Sequence, residues 1–396
     1  MRERIKAATV LSLSMLTVLC SQAIAPLLGS IREEFPSVSD MGIQMVVLLP
    51  PFCIMAVNIC MPGLIARFRQ KSLLLTGLLL YTVGGVGGIW CTAYWQLITV
   101  RMLLGIGCGL VMPFAQLLIT ELFSGKMAVR LTGLTAAMTY LSGIFTSLLI
   151  AVLPSERWRM AFLIYGIGIV IGIAVYLFLP VMEKKGNIPE NDGSRKNIRN
   201  PEIRGISGKT WLIVLEMCFA NMAFYGLTSN LSLFLGETGR DNSVFASCVN
   251  ACFMLVGFLM GGIYEKIRRR TEKLVLFLGY ILMGIGYLLL WRHTSSVMIL
   301  AGASIVGGSY SLIYPSIYLY AKAGAQTGEV RGRIISMVII ATFAGQFLSG
   351  IWMKTLWSTG IIHTYGEEFL AWVIWCLLLG CFESFRNRKY AIEVKT

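Results

Sequence analysis

The chain of 396 residues is 56% hydrophobic and only 14% charged, with a mean hydropathy of +0.72. A soluble domain carries about 25% charged residues, so a water-soluble globular protein is excluded. The net charge of +14 does not mark a nucleic-acid partner, because the basic residues are spread over short gaps between apolar runs, where anionic headgroups hold them.

A bilayer core about 30 Å thick needs about 20 apolar residues per helix. Twelve stretches meet that length: 7–29, 41–65, 73–91, 96–120, 131–153, 160–180, 210–235, 243–264, 274–291, 296–320, 334–356 and 368–385. The first follows Arg2, Arg4 and Lys6, as a signal peptide would. Its apolar run is too long for one, and eleven more spans follow, so it reads as a retained helix. Of the 34 Lys and Arg, 27 fall in the two tails and the even-numbered gaps; six lie in the alternate gaps or at their helix ends, and Arg101 lies inside a span. The positive-inside rule then places both termini in the cytoplasm.

Between the sixth and seventh spans runs the one long polar stretch, Glu183 to Lys209, with seven basic and four acidic residues among Gly, Pro and Asn. Nothing in it can build a core, so it reads as a mobile cytoplasmic linker. The expected architecture is therefore an all-α membrane protein of twelve transmembrane helices in two six-helix bundles, residues 1–182 and 210–396, joined by 183–209. Ten cysteines show no paired metal spacing and lie mostly within apolar spans, which points to helix packing and away from zinc or disulfides.

The halves echo each other. Gly63-Leu64-Ile65-Ala66-Arg67-Phe68-Arg69 after span 2 matches Gly262-Ile263-Tyr264-Glu265-Lys266-Ile267-Arg268 after span 8, at an offset of 199. Gly105, Gly107 and Gly109 before Pro113 in span 4 match Gly302, Gly307 and Gly308 before Pro315 in span 10. Arg130 at the foot of span 5 matches Arg333 at the foot of span 11. Matches in the same order predict two parallel halves related by an axis along the membrane normal, as in transporters that rock around a midplane site.

On these residues the whole chain resembles the major facilitator superfamily. That family's loop between spans 2 and 3 usually reads G-x-L-x-D-R-x-G-R-K; here Gly63, the apolar pair and the basic cluster Arg67, Arg69 and Lys71 match, and the acid is missing. The equivalent second-half loop keeps an acid, Glu265. Arg101-x-x-x-Gly105-x-Gly107 resembles an element frequent in proton-coupled members, and Trp158-Arg159 is similar to the drug and metabolite exporter branch. Span 5 reads Leu141-Ser142-Gly143-Ile144-Phe145-Thr146-Ser147, without the Gly-Pro pair usual in proton-driven exporters.

Arg101 lies about 7 Å inside span 4 from the outer face at 1.5 Å per residue. An ionised group there faces a cavity or partner, or else snorkels to the headgroups along its apolar stem. Glu216 lies about 9 Å inside span 7 from the inner face, poised either to exchange a proton as water access alternates or to hydrogen-bond a neighbouring helix. The loop residues Gly63, Arg67, Arg69, Lys71, Glu265, Lys266 and Arg268 read as a cytoplasmic latch or as plain anchors to headgroups and helix dipoles. The resemblance implies a cavity lined by spans 1, 4, 7 and 10, where Gln22, Gln116, Asn221, Tyr225, Asn230, Tyr310 and Tyr314 are candidate solute contacts or packing residues. Asn58 and Asn250 are candidate interhelical hydrogen bonds.

The function expected is secondary transport of a small amphipathic or drug-like solute by alternating access in a bacterial inner membrane, proton-coupled and outward. Protons, the solute and membrane lipids are the partners, with no cofactor, metal or nucleic acid, and the chain is expected to act as a monomer. Two alternatives stay open: an organic-anion importer or exchanger using Arg101, and a non-transporting membrane receptor. No nucleotide-binding loop or nucleophile–base spacing suggests an enzyme.

Overall fold

In a hydrocarbon core a chain must pair its own backbone amides, and long apolar runs do so as helices. The computed structural model describes residues 2–123, 125–153, 155–179, 208–239, 243–271, 274–292, 295–323 and 328–393. The first bundle comprises α1 (Arg2–Gln22), α2 (Asp40–Arg67), α3 (Gln70–Val86), α4 (Tyr94–Leu122), α5 (Gly125–Ala151) and α6 (Ile167–Phe178). The second comprises α7 (Gly208–Glu237), α8 (Ser243–Thr271), α9 (Val275–Arg292), α10 (Ser296–Ala323), α11 (Gly328–Ser358) and α12 (Tyr365–Glu393). Ten helical segments among the described residues are long and apolar enough to cross a bilayer, and two shorter apolar helices are Ile5–Thr17 and Ala137–Ala151. The expected linker lies outside the described residues except for Gly208 and Lys209, which begin α7.

Two expected spans are irregular. Span 1, read as one helix over 7–29, breaks after Gln22 into a 3₁₀ turn, Ala25–Leu27, and a short helix, Leu28–Glu34. Pro26 sits in that turn and has no amide hydrogen to continue the ladder. Span 6 starts as a tight 3₁₀ run, Ser155–Gly166, kinked at Arg157, before α6 proper. Helix ends are closed locally. Ser39 Oγ accepts the Gly42 amide at 3.3 Å, and Gln96 Oε1 accepts those of Thr92 and Ala93 at 2.9 and 3.2 Å. Gly360 ends α11 at φ +71°, a left-handed position that favours glycine, while Ile361 N returns to Leu356 O.

Within the first bundle α4 packs on α3, α2 and α1; α1 also packs on α5 and α6, and α3 on α6. The second bundle repeats every one of these pairings six helices later: α10 on α9, α8 and α7; α7 on α11 and α12; α9 on α12. Glycines allow the close approaches. A Cβ at Gly107 would lie 2.2 Å from Tyr81 N, and one at Gly345 would lie 2.1 Å from Cys218 O. The bundles meet where α5 packs on α8 and α2 on α11, which is where a two-fold repeat places its own interface.

Candidate functional site

The seam between the bundles is hydrogen-bonded from one end to the middle. At the Asp40 end, Tyr365 Oη donates to Asp40 Oδ2 at 3.0 Å. The break in α1 frees Pro26 O and Gly29 N, and Ser232 on α7 serves both, accepting from Gly29 N at 3.0 Å and donating to Pro26 O at 3.2 Å. Next, Gln44 Nε2 donates to Asn230 Oδ1, and Leu48 packs on Gly350. Phe52 meets Phe347 at 4.8 Å, and Asn250 Nδ2 donates to Ser147 Oγ at 2.7 Å. Near mid-height the Tyr140 and Ser311 hydroxyls are 2.6 Å apart. These contacts between the bundles run from mid-height to the Asp40 end, so the protein is closed at that end. A cleft of about 430 Å³ above it is lined by Arg32, Glu33, Ser232 and Gly236.

The expected cavity residues separate into two groups. Tyr310 Oη donates to Asn221 Oδ1 at 2.6 Å, and its ring stacks on Phe224 at 3.8 Å. Tyr314 follows one turn along at 5.7 Å, then Tyr318 at 6.3 Å and nearly parallel. This i, i+4, i+8 spacing makes an aromatic stripe down one face of α10. Tyr225 is half-buried, edge-on to Phe224. Asn230 does not belong with these: it is fully buried and bridges Gln44 to Glu368 in the closed seam. The side chains of Gln22 and Gln116 lie outside the described residues, as do those of Arg130 and Arg333. Gln346 on α11 is a residue the sequence reasoning missed. It is fully buried, and neither amide atom has a hydrogen-bond partner among the described residues.

Arg101 is fully buried and is held by acceptors of the first bundle alone. Its Nε donates to Val46 O at 2.7 Å, Nη1 to Tyr165 Oη at 2.9 Å and Nη2 to Cys20 O at 3.4 Å. Tyr165 Oη in turn donates to Leu19 O at 3.1 Å. The guanidinium therefore ties α4 to α1, α2 and the start of span 6, and neither snorkels nor meets a carboxylate among the described residues.

Two further acids, Glu368 and Glu383, both on α12, are buried as fully as Glu216. Glu216 receives Tyr280 Oη at 3.1 Å and Arg386 Nη1 at 2.6 Å, while Arg386 Nη2 lies 2.5 Å from Glu383 Oε1. Glu216's charge partner is thus Arg386, and two carboxylates share one guanidinium. Sequence reading placed both acids inside span 12 without weighing them; an intramembrane acid is by itself the signal that finds them.

The loop residues make local bonds. Glu265 pairs with Arg268 at 3.0 Å and Arg269 at 3.1 Å on its own helix, which ties no neighbour. Lys71 Nζ donates to Tyr176 O at 3.0 Å and Leu179 O at 2.8 Å, capping the end of α6 from the start of α3. Arg67, Arg69, Lys266 and Gly63 are exposed. Asn58 bonds back to Ile54 O at 2.8 Å on its own helix, whereas Asn250 does cross between helices. At the closed end Trp158 and Arg159 clasp Glu34: Trp158 Nε1 donates to Oε2 at 2.9 Å, and Arg159 binds both carboxylate oxygens. The Arg159 hydrogen bonds, against a smaller opposing effect of burial, hold the Glu34 carboxyl below the ordinary glutamate range. All ten cysteines are free, and no group of metal-binding side chains occurs among the described residues.

Comparison with known proteins places this arrangement. The family description "Major Facilitator Superfamily" matches residues 10–350. A bacterial homolog of the human lysosomal transporter Spinster, solved inward-facing and occupied, superposes with a TM-score of 0.74 at 16% identity over 96% of each chain. A D-xylose–proton symporter superposes with a TM-score of 0.77 at 14% identity over 97% of each chain. PepTSo, a POT family transporter, gives 0.78 at 13% identity over 98% of each. These likenesses carry the fold. No curated protein sequence matches the chain.

Proposed function

We propose, from the plain fact that this chain belongs to the Major Facilitator Superfamily, that it exports a small amphipathic organic solute in exchange for protons. Its general work is the family's: secondary transport of small solutes by alternating access, in a multi-pass membrane protein and not an enzyme. The observation that carries the finer reading is the seam, hydrogen-bonded from the middle to the Asp40 end. Two bundles joined this way have a hinge near mid-height, and the aromatic stripe of α10 stands beside it. By the positive-inside rule the closed end is the outer one, both termini are cytoplasmic and the chain crosses a bacterial inner membrane twelve times. We take the bundles as residues 1–182 and 210–396, a division that the repeated helix pairing supports.

The stripe formed by Tyr310, Tyr314 and Phe224, with Asn221 and Tyr225 beside it, suits a flat solute that stacks and takes one or two hydrogen bonds. The anion reading lacks support from Arg101, whose three nitrogens all point at carbonyls or a hydroxyl of its own bundle. Proton coupling is assigned to the Glu216–Arg386–Glu383 cluster, because one guanidinium balances one carboxylate and the second is balanced by a proton. Arg101 contributes by holding α1, α2 and α4 as one rigid body. Gly63, Arg67, Arg69 and Lys71, with Glu265, Lys266 and Arg268, act as the inner latch, parted in this state.

Glu216→Gln in proteoliposomes should abolish pH-gradient-driven transport and leave solute counterflow. The solute is chosen from a panel of planar amphipathic compounds, ethidium among them, by thermal stabilisation of the purified protein. Gradient-driven transport persisting in Glu216→Gln would remove the proton assignment.

A further inference from the structure

Glu368 stands in the first turn of α12, fully buried at the end where the bundles close. Its Oε1 accepts from Asn230 Nδ2 on α7; its Oε2 lies 3.5 Å from Trp357 Nε1 on α11, and the Trp372 indole of α12 is a further neighbouring donor. Asn230 carries the link onward, since its Oδ1 accepts from Gln44 Nε2 on α2 of the other bundle. A single chain of side chains, Gln44–Asn230–Glu368, therefore runs from a carboxylate across the seam.

The surroundings offer Glu368 no counter-charge. From α7 comes Glu237, whose Oε2 accepts the Tyr365 amide at 2.8 Å. From α9 comes Tyr287, whose hydroxyl donates to Ala223 O. On α12 itself are Tyr365, donating to Asp40 of α2, and Glu367, accepting from the His363 amide at 2.6 Å. Arg32 lies at this end too, 3.2 Å from Asp40, and is spent there. Among the described residues no Lys, Arg or His side chain pairs with Glu368. A carboxylate withdrawn from water without a cation is costly, and the cost disappears if it closes as the neutral acid.

We propose that Glu368 is a proton-binding site of the outer gate. As the seam closes, Oε2, the oxygen with no short bond, takes one proton from external water. As Gln44 parts from Asn230 and water reaches the carboxyl, the O–H bond breaks and the proton returns to the outside. Low external pH therefore holds the gate shut and high external pH lets it open. This rests on the reading above that the Asp40 end faces outward and opens during transport. It is distinct from the Glu216 cluster, which lies toward the opposite end of α7.

The test is the distance between spin labels at two exposed sites flanking the closed end, Ser37→Cys and Ile361→Cys, in the full chain with its native cysteines replaced and reconstituted in lipid nanodiscs. As pH rises, the ratio of long to short distance should grow, by up to about tenfold per pH unit while one proton is exchanged. Glu368→Gln should stay short at every pH, and Glu216→Gln should keep the shift. Glu368→Asp keeps an ionisable group and should retain the shift with a displaced midpoint, which decides the matter if Glu368→Gln does not fold. Wild-type distances that ignore pH, or a Glu368→Gln shift equal to the wild type's, would overturn the proposal. The Glu216 transport assay judges the transport reading separately, because it leaves the outer end untouched.

Discussion

A buried ionisable side chain is defined by what it is paired with, and those of this protein differ sharply in that respect. Arg101 faces two backbone carbonyls and a tyrosine hydroxyl; Glu216 shares a guanidinium with a second acid; Glu368 has amide and indole donors and no described cation. Each arrangement dictates a different response to substitution. Arg101→Lys keeps the charge but lacks the planar fork, so it reaches at most part of the three acceptors. The loss of hydrogen bonds from a charged donor should cost about 2 kcal/mol or more. That loss reads as a melting temperature lower by several degrees in detergent, with gradient-driven transport retained in the fraction that folds. A variant with unchanged melting and lost uphill transport would instead give Arg101 a direct part in coupling.

At the scale of elements, the two irregular spans are held by side chains from elsewhere. The backbone groups released where α1 breaks at Pro26 are taken up by Ser232 of the other bundle, which makes the break a feature of the seam. The short helix that follows is pinned to the start of span 6 by the clasp of Glu34 with Trp158 and Arg159. The Glu34 carboxyl titrates below the ordinary range when folded. Its stabilising contribution is therefore complete above the unfolded value of about 4.3 and is lost as pH falls through the lower folded one. The clasp is partly exposed, so its worth is that of a surface pair, about 1 kcal/mol or less. Glu34→Gln should lower stability slightly at neutral pH and flatten the acid limb of a melting-temperature profile between about pH 6 and about pH 3. A profile identical to the wild type's would show that the clasp contributes nothing.

At the scale of the whole molecule, the six-helix pairing pattern occurs twice and the bundles touch through α2–α11 and α5–α8. Rigid bundles with a restricted seam are what a rocking mechanism requires. The seam's direct bonds, from Asp40–Tyr365 to Tyr140–Ser311, join the halves side chain to side chain. Residues 1–182 and 210–396 expressed as two chains should therefore copurify and transport the selected solute at a rate comparable to the intact protein. Chains that fail to copurify would show that residues 183–209 hold the bundles together.

The apolar run lengths, the charge alternation and the 199-residue echo reached the helical membrane fold and its two halves from the sequence alone. They could do so because hydrocarbon imposes one rule on every span: pair the backbone internally and keep charges out. Tyr310 and Tyr314 were named because the family resemblance puts span 10 beside the cavity, and the structure sets their rings next to each other on α10. What a charge pairs with was not legible. Arg101 and Glu216 are each isolated in their spans, and only packing brought Val46, Cys20 and Tyr165 to the one and Arg386 with Glu383 to the other. Nor does any pattern along the chain place Gln44, Asn230 and Glu368 in one line. Periodicity reports the environment of a face, whereas a hydrogen bond across 186 residues of chain depends on how whole helices dock, and that is a property of the tertiary structure.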